Sequence, residues 1–521
     1  PDEDLFLPGT YGSKKPDTFK YLVEARLFMN SKIVICLFLL LIIAACSGCV
    51  SKPAESEVNT DNNQDLKEVE GLWLGTLEVQ GGMEVRLLFN ISSSPDGSVN
   101  ATMDSLDQGV KGIPVETVTY KDSKLRLDVK SIRGSFEGTL KEDGKTIEGE
   151  WKQSGISLPL VLSRIDETPD TRREQDPVRP YPYDEEEVVY ENEGAGVKLA
   201  GTLTLPRSEG PFPAVILISG SGQQNRDEEL LGHRPFLVLS DYLTRRGIAV
   251  LRVDDRGTGG STGDFSQATS EDFAGDVLAG IDYLKSREEI DPAQIGLIGH
   301  SEGGLIAPIV AVESRDVAFI VLMAGPGITG EEILYLQSEL ISRAEGVDNE
   351  TIARNNALMK SIYSAIKEEQ NDEIAAEKLR KLMMDEMANM SEEEKQSAGY
   401  SEADLDAQIQ SLLSPWMRNF LTYDPRPTLI KVKCPVLAIN GEKDLQVPPE
   451  ENLQAIEEAL EAGGNQDYTV KELPGLNHLF QTSQTGSPSE YARIEETISP
   501  TALELIGDWI SERTSATIEK Q

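Results

Sequence analysis

Ile295-Gly296-Leu297-Ile298-Gly299-His300-Ser301-Glu302-Gly303-Gly304 is the stretch from which the rest of the chain is read. Four mostly apolar residues, too few for a helix, run into Gly-x-Ser-x-Gly, and a helix-compatible run over 305–312 follows. Strand, tight turn and helix in that order present a serine at the apex of a sharp turn. Glycines at 299 and 303 remove the Cβ atoms that would collide as strand and helix close on each other. Ser301 is then lifted above the strand end, and the helix N-terminus points at whatever binds there.

Outward from this turn, apolar runs of strand length lie at 187–191, 197–205, 213–219, 248–253, 295–298, 319–324, 435–439 and 468–472. Amphipathic helices are expected at 235–246, 270–287, 305–313, 450–461 and 490–512. Two strands without a helix between them, followed by strict alternation, describe a mostly parallel sheet with an antiparallel edge and helices on both faces. Ligands bind such sheets beyond the carboxyl ends of the strands, and Ser301 falls at one of those ends.

A nucleophilic serine needs a base, and the base needs an orienting acid. The chain has three histidines. His478 follows the last expected strand, in Leu473-Pro474-Gly475-Leu476-Asn477-His478, and is the candidate base. His300 lies inside the turn with its side chain directed away from Ser301, and His233 sits in a loop at the edge of the site; both remain candidates for substrate contact. The acid is Asp444, in Asn440-Gly441-Glu442-Lys443-Asp444 after the strand at 435–439, with Glu442 as its rival. One oxyanion donor is the backbone N–H of Glu302. A second is expected from the loop Gly220-Ser221-Gly222-Gln223-Gln224-Asn225-Arg226-Asp227, at Ser221 or Gly222, with Gln223 and Arg226 as substrate contacts. That loop lacks a Gly-Lys-Ser/Thr ending and Rossmann spacing, which argues against a phosphate cradle. Asp254-Asp255-Arg256-Gly257-Thr258-Gly259 follows another strand and is read as the site floor, held by an Arg–carboxylate bridge.

Between 326 and 423 the chain is rich in Glu, Lys, Ala, Leu and Met. Helices at 330–346, 350–369, 372–390 and 402–421 are expected to fold over the pocket as a cap. Trp416, Met417 and Phe420, near its exit, are the candidate acyl-pocket contacts.

The beginning of the chain reads as an address. Met29-Asn30-Ser31-Lys32 precedes an apolar run over 33–45, short for a membrane span but normal for a signal-peptide core. Ile43-Ala44-Ala45-Cys46 resembles a lipobox, so Cys46 is the expected lipidation site, with Cys49 as an alternative. Residues 1–50 thus form an extension and signal segment, and a membrane attachment outside the cytoplasm is expected. Residues 51–67 have the composition of a tether. Over 68–165 short alternating segments are broken by Pro95-Asp96-Gly97 and Glu142-Asp143-Gly144, the pattern of a small antiparallel β barrel or sandwich. A linker at 166–184 leads to the main domain, 185–325 and 424–521.

The formal charge of −40 leaves no cationic excess to neutralise phosphates, which argues against nucleic acid. Of four cysteines only Cys434 lies in the body of the chain, so neither a disulfide framework nor a cysteine metal site is available. No cofactor or metal is expected. The oligomeric state is open, a dimer included.

The loop 219–227, the Asp254–Gly259 segment and Gly299-His300-Ser301-Glu302-Gly303-Gly304 together resemble the two-domain microbial carboxylesterases of the α/β-hydrolase superfamily. These are relatives of the prolyl-oligopeptidase-like and dienelactone-hydrolase-like branches. In the small β module, Asp104-Ser105-Leu106-Asp107-Gln108-Gly109 and Ile113-Pro114 are similar too. The resemblance implies an α/β-hydrolase fold with a helical cap and a Ser301–Asp444–His478 triad in the chain order of that superfamily. It also implies hydrolysis of carboxylic esters of short to medium acyl chain through an acyl-enzyme. Gln223 or Gln224 stands where members often carry proline. A peptidase or acyltransferase with the same triad is the alternative enzyme, and a lipid-anchored binding module with an unused hydrolase fold the non-enzymatic one.

Overall fold

The computed structural model describes residues 66–79, 83–93, 99–108, 110–153, 156–170, 172–389 and 402–514. The signal segment, Cys46 and Cys49, the tether up to residue 65 and the turn at Pro95-Asp96-Gly97 lie outside the described residues.

The first nine strands are β1 (Gly71–Val79), β2 (Met83–Ser93), β3 (Val99–Ser105), β4 (Val110–Pro114), β5 (Thr117–Lys121), β6 (Lys124–Val129), β7 (Gly134–Leu140), β8 (Thr146–Gln153) and β9 (Ile156–Ile165). They form one antiparallel sheet in the order β4-β3-β2-β1-β9-β8-β7-β6-β5. Alternation decides its faces: Leu125, Leu127 and Val129 of β6 point inward while Lys124 and Arg126 stay exposed. Phe89 on β2 and Phe136 on β7 are four strands apart, about 19 Å in a flat sheet at ~4.8 Å per strand. Their ring centroids lie 6.2 Å apart, so the sheet curls around one core. Trp73 and Trp151 fill that core, and each indole N–H finds an acceptor, Val69 O at 2.8 Å and Gln153 Oε1 at 3.1 Å.

The second sheet contains β10 (Asp184–Asn192), β11 (Val197–Leu205), β12 (Phe212–Ile218), β13 (Ala249–Val253), β14 (Ile290–His300), β15 (Val317–Met323), β16 (Val436–Gly441) and β17 (Tyr468–Leu473). Its order is β10-β11-β13-β12-β14-β15-β16-β17, antiparallel through β11 and parallel from β13 to β17. This is the α/β-hydrolase architecture. Every residue of β12 is buried because both faces are covered. Ala214, Ile216 and Ile218 pack with helices Ser270–Lys285, Glu302–Glu313 and Pro449–Ala462. Val215 and Leu217 pack on the other side with Pro235–Thr244 and Pro500–Ser511. Parallel strands bring their carboxyl ends to one edge, so the loops after β12, β13, β14, β16 and β17 gather there.

Three expected elements have different limits. The strand of the serine turn begins at Ile290, where Phe212 pairs with Ile290, and a register shift follows before Ala214 meets Ile295. The helix expected over 490–512 is broken. A 3-10 turn at Pro488–Arg493 is followed by irregular chain whose Thr497 and Ile498 N–H groups bond Gln175 Oε1, and the helix proper is Pro500–Ser511. The cap helix expected over 402–421 is two helices, Glu402–Leu412 and Pro415–Thr422. Pro415 has no N–H to continue the first, and Ser414 caps the second by accepting from Met417 N at 3.2 Å. With Gly330–Ala344, Asn349–Glu368 and Asp372–Asn389, the cap has its own core around Tyr363, Leu379, Met383 and Phe420.

Candidate active site

Ser301 has φ +53° and ψ −119°, a strained conformation for a residue with a side chain, between β14 and the helix Glu302–Glu313. The glycines around it permit the turn. A Cβ at Gly299 would run into the Gly303 carbonyl, and one at Gly303 into the Ile218 carbonyl. The Ser301 N–H is bonded to Met323 O at 2.8 Å, which anchors the apex to β15.

The loop after β16 carries Asp444, which is buried. Its Oδ1 accepts from the N–H groups of Gln446 at 2.8 Å and Val447 at 2.9 Å, and its Oδ2 meets His478 Nδ1 at 2.8 Å. With Nδ1 engaged, Nε2 is the ring nitrogen not held by Asp444. The two loops approach backbone to backbone, since a Cβ at Gly441 would strike the Leu476 carbonyl. His300 Nε2 donates to the His478 carbonyl at 3.0 Å, which fixes the histidine loop to the serine turn. Glu442, the rival acid, instead accepts from Gly475 N at an exposed position.

The backbone N–H of Glu302 opens the helix beside Ser301. Its carboxylate is buried, and Oε1 accepts from Ser270 Oγ at 2.6 Å and Trp416 Nε1 at 2.8 Å. Burial pushes this carboxyl up from the usual range, against hydrogen bonds from Ser270, Trp416 and Ser221 that favour its charged form. In the loop after β12, the Gly220 N–H is committed to Glu228 Oε1 at 2.7 Å, and an added Cβ at Gly220 would sit 3.2 Å from Ser301 Cβ. Ser221 and Gly222 thus remain the candidate second donors. Gly222 has φ +94°, which its missing side chain allows.

Several expected substrate contacts are placed elsewhere. Gln223 Nε2 donates to Gly257 O at 2.7 Å. Arg226 grips Asp254 through Nε at 3.1 Å and Nη2 at 2.8 Å and reaches Thr202 Oγ1 at 2.6 Å, so it braces the loop. His233 is buried, between Thr497 Oγ1 and Tyr491 O at 3.0 Å each. Burial, with help from Arg173, lowers its pKa to about 4, so its ring is neutral. His300 is buried between Glu228 and His478 O. Phe420 belongs to the cap core, whereas Trp416, stacked on it with centroids 5.0 Å apart, extends to Glu302. Sequence reasoning missed Glu228 and Ser270 because neither lies in a motif. The floor segment splits into two bridges: Asp254 pairs with Arg226, and Arg256 pairs with Asp276 at 2.7 Å. Among the described residues no group of three or more His, Cys, Asp or Glu is placed to hold a metal ion.

Comparisons with known proteins agree on the hydrolase class. The family described as X-Pro dipeptidyl-peptidase (S15 family) matches residues 195–472. Esterase EstD of Thermotoga maritima is 28% identical over 198 residues, covering 37% of this chain and 44% of that protein. Dipeptidyl aminopeptidase BIII of Pseudoxanthomonas mexicana is 27% identical over 203 residues, 35% of this chain and 29% of that one. The chain spans less than half the length of either relative. Among solved structures, an esterase of Pyrococcus furiosus covers 63% of this chain and 91% of its own at 16% identity, with a TM-score of 0.38.

Proposed function

Since the chain belongs to the X-Pro dipeptidyl-peptidase (S15) family and is a serine hydrolase of the α/β-hydrolase fold, we propose that it is a carboxylesterase whose triad is Ser301, His478 and Asp444. The observation that carries this reading is the Asp444–His478 pair at 2.8 Å beside a serine held at φ +53°. His478 Nε2 takes the Ser301 proton as Oγ attacks the ester carbonyl. Asp444 keeps the imidazole in the required tautomer and stabilises its cation. The N–H of Glu302, with that of Ser221 or Gly222, receives the developing oxyanion. His478 then protonates the leaving alcohol, and water releases the acid by the reverse sequence.

Esters of short to medium acyl chain are the proposed substrates, with Trp416 at the cap side of the site. The second reading, a peptidase that binds a free amino terminus, is favoured by the family match. Such an enzyme needs a carboxylate for the substrate's ammonium group. Of the acids bordering the loop, Asp254, Asp255 and Glu302 are each already taken by two or more protein donors, which supports the ester reading. We propose further that the chain is exported and lipidated at Cys46; incorporation of labelled fatty acid that persists in Cys46→Ala would overturn that assignment.

The test is hydrolysis of p-nitrophenyl esters of increasing acyl length by the full chain, beside Ser301→Ala. Turnover that vanishes in the variant is expected. Cleavage of X-Pro amides with no turnover of any ester would establish the peptidase instead, and ester hydrolysis surviving in Ser301→Ala would remove the triad.

A further inference from the structure

We propose that Glu228 and His300 form a buried imidazolium–carboxylate pair that positions the reacting groups, holding the oxyanion loop and the triad histidine in register with Ser301. The proposal rests on the triad reading above, and neither residue touches the substrate in it.

The bonding pattern fixes one hydrogen of the ring. A carbonyl oxygen only accepts, so His300 Nε2, 3.0 Å from His478 O, carries a hydrogen. His300 Nδ1 lies 2.9 Å from Glu228 Oε1, which also receives the Gly220 N–H at 2.7 Å. In the proposed form Oε1 accepts from both, and both ring nitrogens carry hydrogen. Burial alone pulls the His300 pKa down, but the charge and hydrogen bond of Glu228, the His478 carbonyl and the field of Asp444 outweigh it, and the net shift is upward. Both side chains are more than nine-tenths buried, at 8% and 6% exposure. A net-neutral pair is the form in which such burial is sustained, although Glu228 Oε2 has no hydrogen-bond partner among the described residues.

The pair's position gives it a task. His300 precedes the nucleophile, so one side chain ties that strand end to the backbone of the base. Glu228, at φ +52°, ties the same ring to the first N–H of the oxyanion loop. Three loops that must keep sub-ångström register meet at one shared hydrogen-bond relay. The His300 ring centroid is also 4.9 Å from that of His478. The groups facing His300 are Glu228 from the loop after β12, Asp444 from the loop after β16, and His478 from the loop after β17, with the Phe480 ring edge-on at 6.4 Å.

Two measurements test this. The chain has only three histidines, so 15N-histidine labelling of the full chain resolves each ring, in the wild type and in Ser301→Ala, without any need for turnover. Both His300 nitrogens are expected to be protonated at neutral pH, and only one in Glu228→Gln. A singly protonated His300 in the wild type would overturn the pair. In kinetics, folded Glu228→Gln and His300→Gln are expected to lose about tenfold to a hundredfold in kcat. KM should change by less than about twofold, so the loss falls on kcat. Wild-type kcat in either variant would also overturn it. If the wild type hydrolyses no ester or amide, the triad reading fails, while the labelling result still judges the pair.

Discussion

Trp416, on the cap helix Pro415–Thr422, donates its indole N–H at 2.8 Å to the carboxylate of Glu302, the residue that follows Ser301. Ser270 Oγ, at the start of the helix Ser270–Lys285, bonds the same oxygen at 2.6 Å. One buried carboxylate thereby joins the cap, a sheet-covering helix and the turn that carries Ser301.

Replacing Trp416 by Phe keeps the stack on Phe420 and removes only the N–H. A hydrogen bond of this kind is worth about 0.5–1.5 kcal/mol. Trp416 is half-buried, so about 1 kcal/mol is expected, a loss of roughly fivefold in kcat/KM on a p-nitrophenyl ester. Trp416→Ala also loses the stack, about 1 kcal/mol more, and should blunt discrimination between acyl lengths. Equal kcat/KM in all three proteins across the ester series would show that the cap bond has no part in the reaction.

The strands of the second sheet were legible because a strand buried on both faces reads as an unbroken apolar run, as in Phe212–Ile218 and Val317–Met323. The break before Pro415 had its signal too, a serine N-cap followed by proline. The start of β14 did not: Ile290 joins the sheet because Phe212 pairs with it, across Asp291-Pro292-Ala293. Asp444 and His478 could be placed because each follows a strand in a short loop. Arg226, His233 and His300 were read toward the substrate because polarity near a site signals importance and not direction. Their partners, Asp254, Thr497 and Glu228, are 28, 264 and 72 residues away in sequence, and only folding reveals such pairings.

Arg226 is a brace, and its removal should tell in stability. Asp254 is almost fully buried and takes three hydrogen bonds from Arg226. Burial raises the Asp254 pKa, but those bonds and the Gly260 N–H outweigh it, and the net shift is downward. Arg226→Met leaves that carboxylate without its cation, at a cost of about 3 kcal/mol. A clearly lower urea midpoint is expected, with KM unchanged within about twofold. Arg226→Lys restores charge without the two-pronged geometry and should recover part of the loss. A raised KM at unchanged stability would return Arg226 to the substrate side.

His233 makes stability depend on pH. Its folded pKa is about 4 and its ordinary value 6.5, chiefly through burial. Between those values the unfolded chain binds a proton that the native ring refuses, so stability rises with pH in that window. The contribution is complete above about pH 6.5 and is lost as pH falls toward 4, with a ceiling of roughly 3 kcal/mol. Urea denaturation at pH 7 and pH 5 should show a smaller difference for His233→Gln than for the wild type. Identical differences would place the native ring's titration at its ordinary value.

Asp444 and Glu442 are two residues apart, and the roles assigned to them are separable. Asp444 Oδ2 holds His478 Nδ1, while Oδ1 is fixed by two backbone N–H groups. In Asp444→Asn the amide N–H₂ faces either the imidazole or those N–H groups. Facing the imidazole, it pairs with an unprotonated Nδ1 and leaves the hydrogen on Nε2, where the proton of Ser301 has to go. The base is then in the wrong tautomer, and a loss of about 10⁴ in kcat is expected with the fold intact. The Glu442 carboxylate accepts the exposed Gly475 N–H, so Glu442→Gln should keep kcat within about twofold. A severe loss in Glu442→Gln beside a mild one in Asp444→Asn would transfer the acid role to Glu442. That exchange would require the loop after β16 to rearrange on binding substrate, because Asp444, buried against His478, occupies the position now.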